Sequence, residues 1–349
     1  MRPFAWARAN LFNGVWNSLL TLAALYLVAR GLWAAADWAI VHAVWSAPDG
    51  RTCRAAGEES GACWAFIGQW YRFILFGRYP YAEQWRPLLV VMLFMALVLA
   101  SCDRKMWRRG PLLAAIWVIG MTIALLLMHG GVFGLSYVAT DLWNGLPLTL
   151  FLSVIGLVGA FPLAILLALG RRSAVPTIRA LSIGYIEIIR GVPLITVLFM
   201  ASVMLPLFLP AGVNVDNLLR ALIGLMLFEG AYLAEVVRGG LQAIPHGQYE
   251  AADALGLSYW QKTRLVILPQ ALAIAIPPLV NTFIAAFKDT TLVTIVGLFD
   301  LLAAASNAIT DPQWRGFYVE AYVFVAAVYF LFCFFMSRYS RALERGLGR

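Results

Sequence analysis

Gly247-Gln248-Tyr249-Glu250-Ala251-Ala252-Asp253-Ala254-Leu255-Gly256 is followed, after nine residues, by Val266-Ile267-Leu268-Pro269. Its residue types describe a short surface helix. Ala251, Ala252 and Ala254 let another backbone approach closely. Glu250 and Asp253 fall near the helix start, where negative charge is favoured. Gly256 can stop the helix and turn the chain. On this physics two readings stand side by side. One is a protruding helix that seats in a partner's groove. The other is an amphipathic connector lying on a membrane.

The surroundings are strongly apolar. Of 349 residues, 62% are hydrophobic and 13% charged, with a mean hydropathy of +0.80. A soluble domain has roughly 45–50% apolar and about 25% charged residues. The excess excludes an ordinary soluble domain, a disordered chain and a small disulfide scaffold. At ~20 apolar residues per crossing, the chain has room for about eight membrane helices. The net charge of +8 (26 Lys and Arg against 18 Asp and Glu) is almost all arginine, since only Lys105, Lys262 and Lys288 are lysines. It is spread over several loops, as expected of inside loops and unlike a nucleic-acid face.

Outward from the quoted stretch, eight spans are expected: about 13–33, 87–101, 111–128, 145–170, 183–208, 217–238, one run within 265–317, and 318–337. The first is read as an uncleaved span rather than a signal peptide. Residues 34–86 carry five Arg and five acidic residues, a balance that suits the outer face, with 64–81 lying in the interface. Asp103-Arg104-Lys105-Met106-Trp107-Arg108-Arg109 marks an inside loop, as do Arg171, Arg172 and Arg179. Gly191 and Pro193 interrupt the fifth span early. Lys288-Asp289 divides the apolar runs 265–287 and 290–299. The tail, with Arg338, Arg341, Arg345 and Arg349 against Glu344, reads as inside, so only one of those runs crosses.

Signatures of enzymes are missing. Arg104, Gln261 and Phe287 precede the three lysines, which excludes a Walker A loop, and there is no HExxH. His42, His129 and His246 fall in separate loops and no CxxC pair occurs, so no metal site is expected. Cys53 and Cys63 share a polar loop; they form either a disulfide, if the loop meets an oxidising compartment, or two of four unrelated thiols with Cys102 and Cys333. Glu229 lies mid-span, where a charge costs at least ~2.5–3.5 kcal/mol. It is either a hydrogen-bonded or protonated helix contact, or a residue lining a translocation cavity that meets a substrate ammonium. Glu235 with Arg238, and Glu187 with Arg190, are both spaced for local i,i+3 pairs. Lys288 and Asp289 mark a break or the outer end of the seventh span, or serve at an outer gate.

Glu250-Ala251-Ala252, Gly256, nine residues, then Val266-Ile267-Leu268-Pro269 resembles the EAA loop of importer-type ABC transporter permeases, with Val266 in the family's Ile position. Glu187-Ile188-Ile189-Arg190-Gly191-Val192-Pro193-Leu194, Ala231-Tyr232-Leu233-Ala234-Glu235-Val236-Val237-Arg238-Gly239-Gly240 and Lys288-Asp289-Thr290-Thr291-Leu292-Val293 are similar to the polar amino-acid branch. By its layout the chain is similar to the M-type permease of general L-amino-acid importers (Aap/Bzt type). The resemblance implies an all-α integral membrane protein of about eight helices with a five-helix, MetI-like core. Residues 1–140 would be an extension with three spans and a periplasmic loop, and 141–349 the permease core.

It also implies the partners: two cytoplasmic ATPase subunits that use ATP and Mg, a second permease forming a heterodimer, a periplasmic amino-acid-binding protein, and the bilayer. This chain itself would hold no cofactor and break no covalent bond. Glu250, Ala251, Ala252, Asp253, Gly256, Leu268 and Pro269 would couple to the ATPase. Glu229, Gly191, Pro193, Lys288 and Asp289 are the candidates for the substrate pathway. The expected place is the bacterial inner membrane, multi-pass, with both termini cytoplasmic. An ion-gradient-driven secondary transporter, with Glu229 or Asp289 as its ion site, is the alternative.

Overall fold

The computed structural model describes residues 3–55, 61–107, 109–210 and 212–347. Glu58, Glu59, Arg108 and Arg349, used above to assign loop sides, lie outside them. In chain order the helices are α1 Pro3–Asn10, α2 Val15–Ala36, α3 Gly50–Ala55, α4 Trp64–Phe76, α5 Trp85–Cys102, α6 Arg104–Trp107, α7 Gly110–His129, α8 Gly145–Arg171, α9 Pro176–Gly191, α10 Leu194–Phe199, α11 Asn217–Gln242, α12 His246–Ala254, α13 Tyr259–Lys262, α14 Leu268–Asp289, α15 Leu301–Ala308 and α16 Tyr318–Leu347. The protein is all-α, with no named strand among the described residues.

Among the described residues, six helical segments are long and apolar enough to cross a bilayer: Val15–Val41, Tyr81–Cys102, Gly110–His129, Gly145–Arg171, Tyr259–Val296 and Tyr318–Arg345. A bent pair, Pro176–Gly191 with Leu194–Phe208, makes up to seven. The expected count of eight is therefore not reached by length and apolarity. The expected span missing from that set is α11, 26 residues long and carrying Arg220, Glu229, Glu235 and Arg238. The fifth expected span also differs. Residues 183–208 are not one helix, because α9 and the following segment meet at 104°. Val192 is extended, as a residue before proline tends to be, and Pro193 has no N–H to continue the ladder. Beyond the break, α10 continues through a π-helical turn, Met200–Met204, and a 3-10 turn, Leu205–Phe208.

Past α14 the chain continues as a 3-10 turn, Thr290–Val296, and then the eight-residue α15, roughly 12 Å long and too short to cross.

Two compact units emerge. One is Met1–Tyr71 with Ile309–Val323. In it α2 buries none of its residues within the protein, as a lipid-facing helix does. Residues 37–55 and 61–66 are tied together: the Val44 and Gly61 amides donate to Ala62 and His42 carbonyls at 2.8 Å, and the Ala62 amide donates to Trp38 at 2.8 Å. Cys53 and Cys63 are both buried and joined by a disulfide, with Cα atoms 6.1 Å apart. The Cys63 amide donates to the buried Glu320 carboxylate at 2.9 Å. Phe66 lies against Trp314 and Phe317.

The other unit is Arg72–Ala308 with Phe324–Arg349. Its centre is α8 against α11 and α14. Gly156, Ala160, Ala164 and Ala168 recur every four residues along α8 and are all buried, a small-residue stripe that lets the helices close on each other. Ala160 and Ala164 pack with Leu233, Ala234, Ala275, Leu279 and Ile186 of α9. Ala168 packs with Val237, Leu241, Ile267 and Ala271. Asp216 starts α11 by accepting from the Leu218 and Leu219 amides at 2.9 and 3.3 Å.

Candidate functional site: a docking loop and a two-carboxyl cavity

The quoted stretch is a built structure. α12 covers His246–Ala254, and Glu250, Ala251, Asp253 and Ala254 are exposed on it while Ala252 is buried. The Leu257 amide donates to Ala252 and the Gly256 amide to Asp253, the paired bonds of a Schellman ending. Gly256 sits at φ +70°, a conformation that costs any other common L-residue roughly 1–2 kcal/mol. Asp253 meets Lys262 at 2.5 Å, and Ser258 with Gln261 forms a capping box that opens α13. Leu268 and Pro269 begin α14 directly after a π-helical turn, Thr263–Ile267, that joins it to α13. Leu255 is 79% exposed and Trp260 67% exposed, so the loop presents apolar side chains beside its charges. Tyr249 faces inward: its hydroxyl meets Arg172 at 3.0 Å and the Leu241 carbonyl at 3.3 Å.

A second feature lies between α11 and α14. Phe228, Glu229 and Tyr232 face Asn281, Thr282, Ala285 and Asp289 across a cavity of about 400 Å³. Glu229 is 4% exposed and has no hydrogen-bond partner among the described residues. Two carboxyl groups sharing one cavity in an apolar layer favour a bound proton or a cationic guest, since unpaired buried charge is costly. Such a site can hold an ammonium group. Of the five pathway candidates, the structure brings together only Glu229 and Asp289. Gly191 and Pro193 form the break after α9 without lining this cavity, and Lys288 is exposed beside it.

The paired charges are rearranged relative to their spacing. Glu235 and Arg238 do pair. Glu187 pairs instead with Arg171 of α8, at 3.0 Å, and Arg171 also meets Glu235 at 3.3 Å. The Arg190 guanidinium lies over the Tyr232 ring, 5.4 Å from its centroid. The rotation of α9 about its axis, invisible in spacing, decides this. Asp300 has no counterpart in the sequence reading. Fully buried, it accepts from the Ala303 amide and from the Tyr329 hydroxyl, both at 2.9 Å, and so fixes the start of α15. Only its place before an alanine-rich run hints at a cap.

With this geometry in hand, the chain can be set beside known proteins. It is 50% identical to the inner membrane amino-acid ABC transporter permease protein YhdY of Escherichia coli (strain K12), over 99% of this chain and 93% of that one. It is 42% identical to the glutamate/glutamine/aspartate/asparagine transport system permease protein BztC of Rhodobacter capsulatus, again over 99% and 93%. A solved structure described as an amino acid ABC transporter with histidines matches with a TM-score of 0.51 and 33% identity, over 58% of this chain and 91% of that one. Residues 160–349 match the family described as the binding-protein-dependent transport system inner membrane component, and the chain belongs to that family.

Proposed function

We propose that this chain is the permease subunit of an ATP-driven ABC importer of L-amino acids, working by alternating access. The full-length similarity to amino-acid ABC permeases carries the reading, and the capped, protruding α12 is the local feature that fits it. Membership of the family implies a nucleotide-binding subunit and a substrate-binding protein as partners. In finer detail, two ATPase subunits sit on the cytoplasmic side and use ATP and Mg, and a second permease completes the pathway as a heterodimer. A periplasmic binding protein delivers the amino acid. The chain lies in the bacterial inner membrane with both termini in the cytoplasm. Residues 1–140 are an added extension and 141–349 the transport core, in keeping with the solved relative that covers 58% of the chain.

Glu250, Ala251, Ala252 and Asp253 lie on the docking helix and Gly256 ends it, with Leu268 and Pro269 fixing where the loop rejoins α14. The Glu229–Asp289 cavity receives the substrate's ammonium group. The relatives lend no support to an ion-gradient mechanism. The test is uptake by the reconstituted complex with its binding protein. L-glutamate, L-glutamine, L-aspartate and L-asparagine should enter only with ATP inside, and Glu229→Leu should cut uptake by about tenfold or more, equivalent to ~1.4 kcal/mol. Uptake that persists without ATP on an ion gradient would overturn the reading.

A further inference from the structure

α8 ends in two adjacent arginines that reach in different directions. Arg171 meets Glu187 of α9 at 3.0 Å and Glu235 of α11 at 3.3 Å. Glu235 also holds Arg238. One turn along α11 from Glu235, Tyr232 lines the two-carboxyl cavity and carries the Arg190 guanidinium of α9 over its ring. Arg172 reaches the other way. Its guanidinium donates to the Leu241 carbonyl at the end of α11 at 2.8 Å and meets the Tyr249 hydroxyl of α12 at 3.0 Å. It also lies over the Tyr249 ring, 5.5 Å from the centroid.

We infer that Arg171 and Arg172 are positioning residues that link the docking helix to the inner end of the cavity. Tyr249 is the side chain of α12 that Arg172 grips, so displacement of α12 is passed to the end of α8. Arg171, the preceding residue and the last of α8, passes it to α9 and to the turn of α11 beneath Tyr232. Guanidinium groups suit this task because one planar fork can hold two acceptors at once. The arrangement has two discrete sets of partners, the kind of contiguous polar network through which coupling between sites is carried. The inference rests on α12 being the ATPase-docking helix, as proposed above.

The test uses the full transporter, reconstituted in vesicles with its ATPase, partner permease and binding protein. A mixture of the common radiolabelled L-amino acids is the probe, and the readout is amino acid transported per ATP hydrolysed. Arg172→Gln and Arg171→Gln should each lower that ratio by at least about fivefold while the ATPase still co-purifies. Tyr249→Phe, which removes one hydroxyl and keeps the fold, should lower it in the same direction by a smaller factor. If the two arginines act in series, the double variant should be no worse than the more damaged single one. An unchanged ratio in Arg172→Gln and Tyr249→Phe, or losses that multiply in the double variant, would overturn the inference. Failure of the docking reading would look different: the unsubstituted complex would neither bind the ATPase nor couple it to uptake.

Discussion

Two polar loops of this chain are built on opposite principles. Residues 37–55 and 61–66 are held by a buried disulfide, by backbone bonds to Trp38, His42 and Ala62, and by the Glu320 carboxylate. The start of α3 is pressed so close that a Cβ on Gly50 would lie 2.4 Å from the Gln313 carbonyl oxygen. Residues 246–267 are held by one ion pair, one capping box, a glycine ending and the Tyr249 contacts with Arg172 and the Leu241 carbonyl, and they leave Leu255 and Trp260 exposed. The first loop is fixed in place by covalent and close-packed contact. The second is shaped but more lightly tethered, which suits the docking role proposed for it.

The comparison can be broken at either end. Replacing Cys53 and Cys63 together by serine should have the largest effect, a loss of about 2–4 kcal/mol. Thermal unfolding in detergent, with tryptic cleavage of the 37–66 loop, would show it; an unchanged melting temperature and an uncut loop would remove the contrast. Gly50→Ala follows, at about 1–3 kcal/mol, since the new methyl group would press on the Gln313 carbonyl and the Phe317 ring. Its readout is the same, and a neutral result would mean the contact is loose. In the lightly tethered loop, Gly256→Leu should cost only about 1–2 kcal/mol through its positive φ. That variant should unfold close to the parent in a melting curve yet lose partner binding. The smallest effect is expected for Lys262→Ala. Asp253 is 57% exposed, so breaking the pair should cost less than ~1 kcal/mol in a chemical denaturation series.

Much of this is legible in the amino-acid sequence. The apolar runs and arginine-marked loops gave the membrane class and most spans, because those signals are local and strong. The short helix, its glycine stop and the proline restart were legible in residue types and spacing, whereas a docking role for them came only from the resemblance to the EAA loop, since the physics alone left a membrane-lying connector equally open. Gly191 and Pro193 announced a break, but the 104° turn depends on how α9 packs against Ala160 and Ala164, which spacing does not record. α11 reads as an ordinary span, and spacing does not show that Glu235 is shared between Arg238 of its own helix and Arg171 of α8. Glu229 and Asp289 are sixty positions apart and meet only because α11 and α14 lie side by side. Likewise Glu187 chose Arg171 over the nearer Arg190, a choice made by helix rotation in three dimensions. Asp300 was missed because a buried cap looks like any acidic residue at the edge of an apolar run.

The central claim is that α12 is the element through which an ATPase drives this permease. The most direct measurement is co-purification from detergent of the ATPase subunit with the intact chain and with a Glu250→Arg, Gly256→Leu variant shown by its melting curve to be folded. The account predicts that the ATPase stays with the intact chain and is lost from the variant. Equal retention by both, or binding by neither while vesicles still take up amino acids, would contradict it.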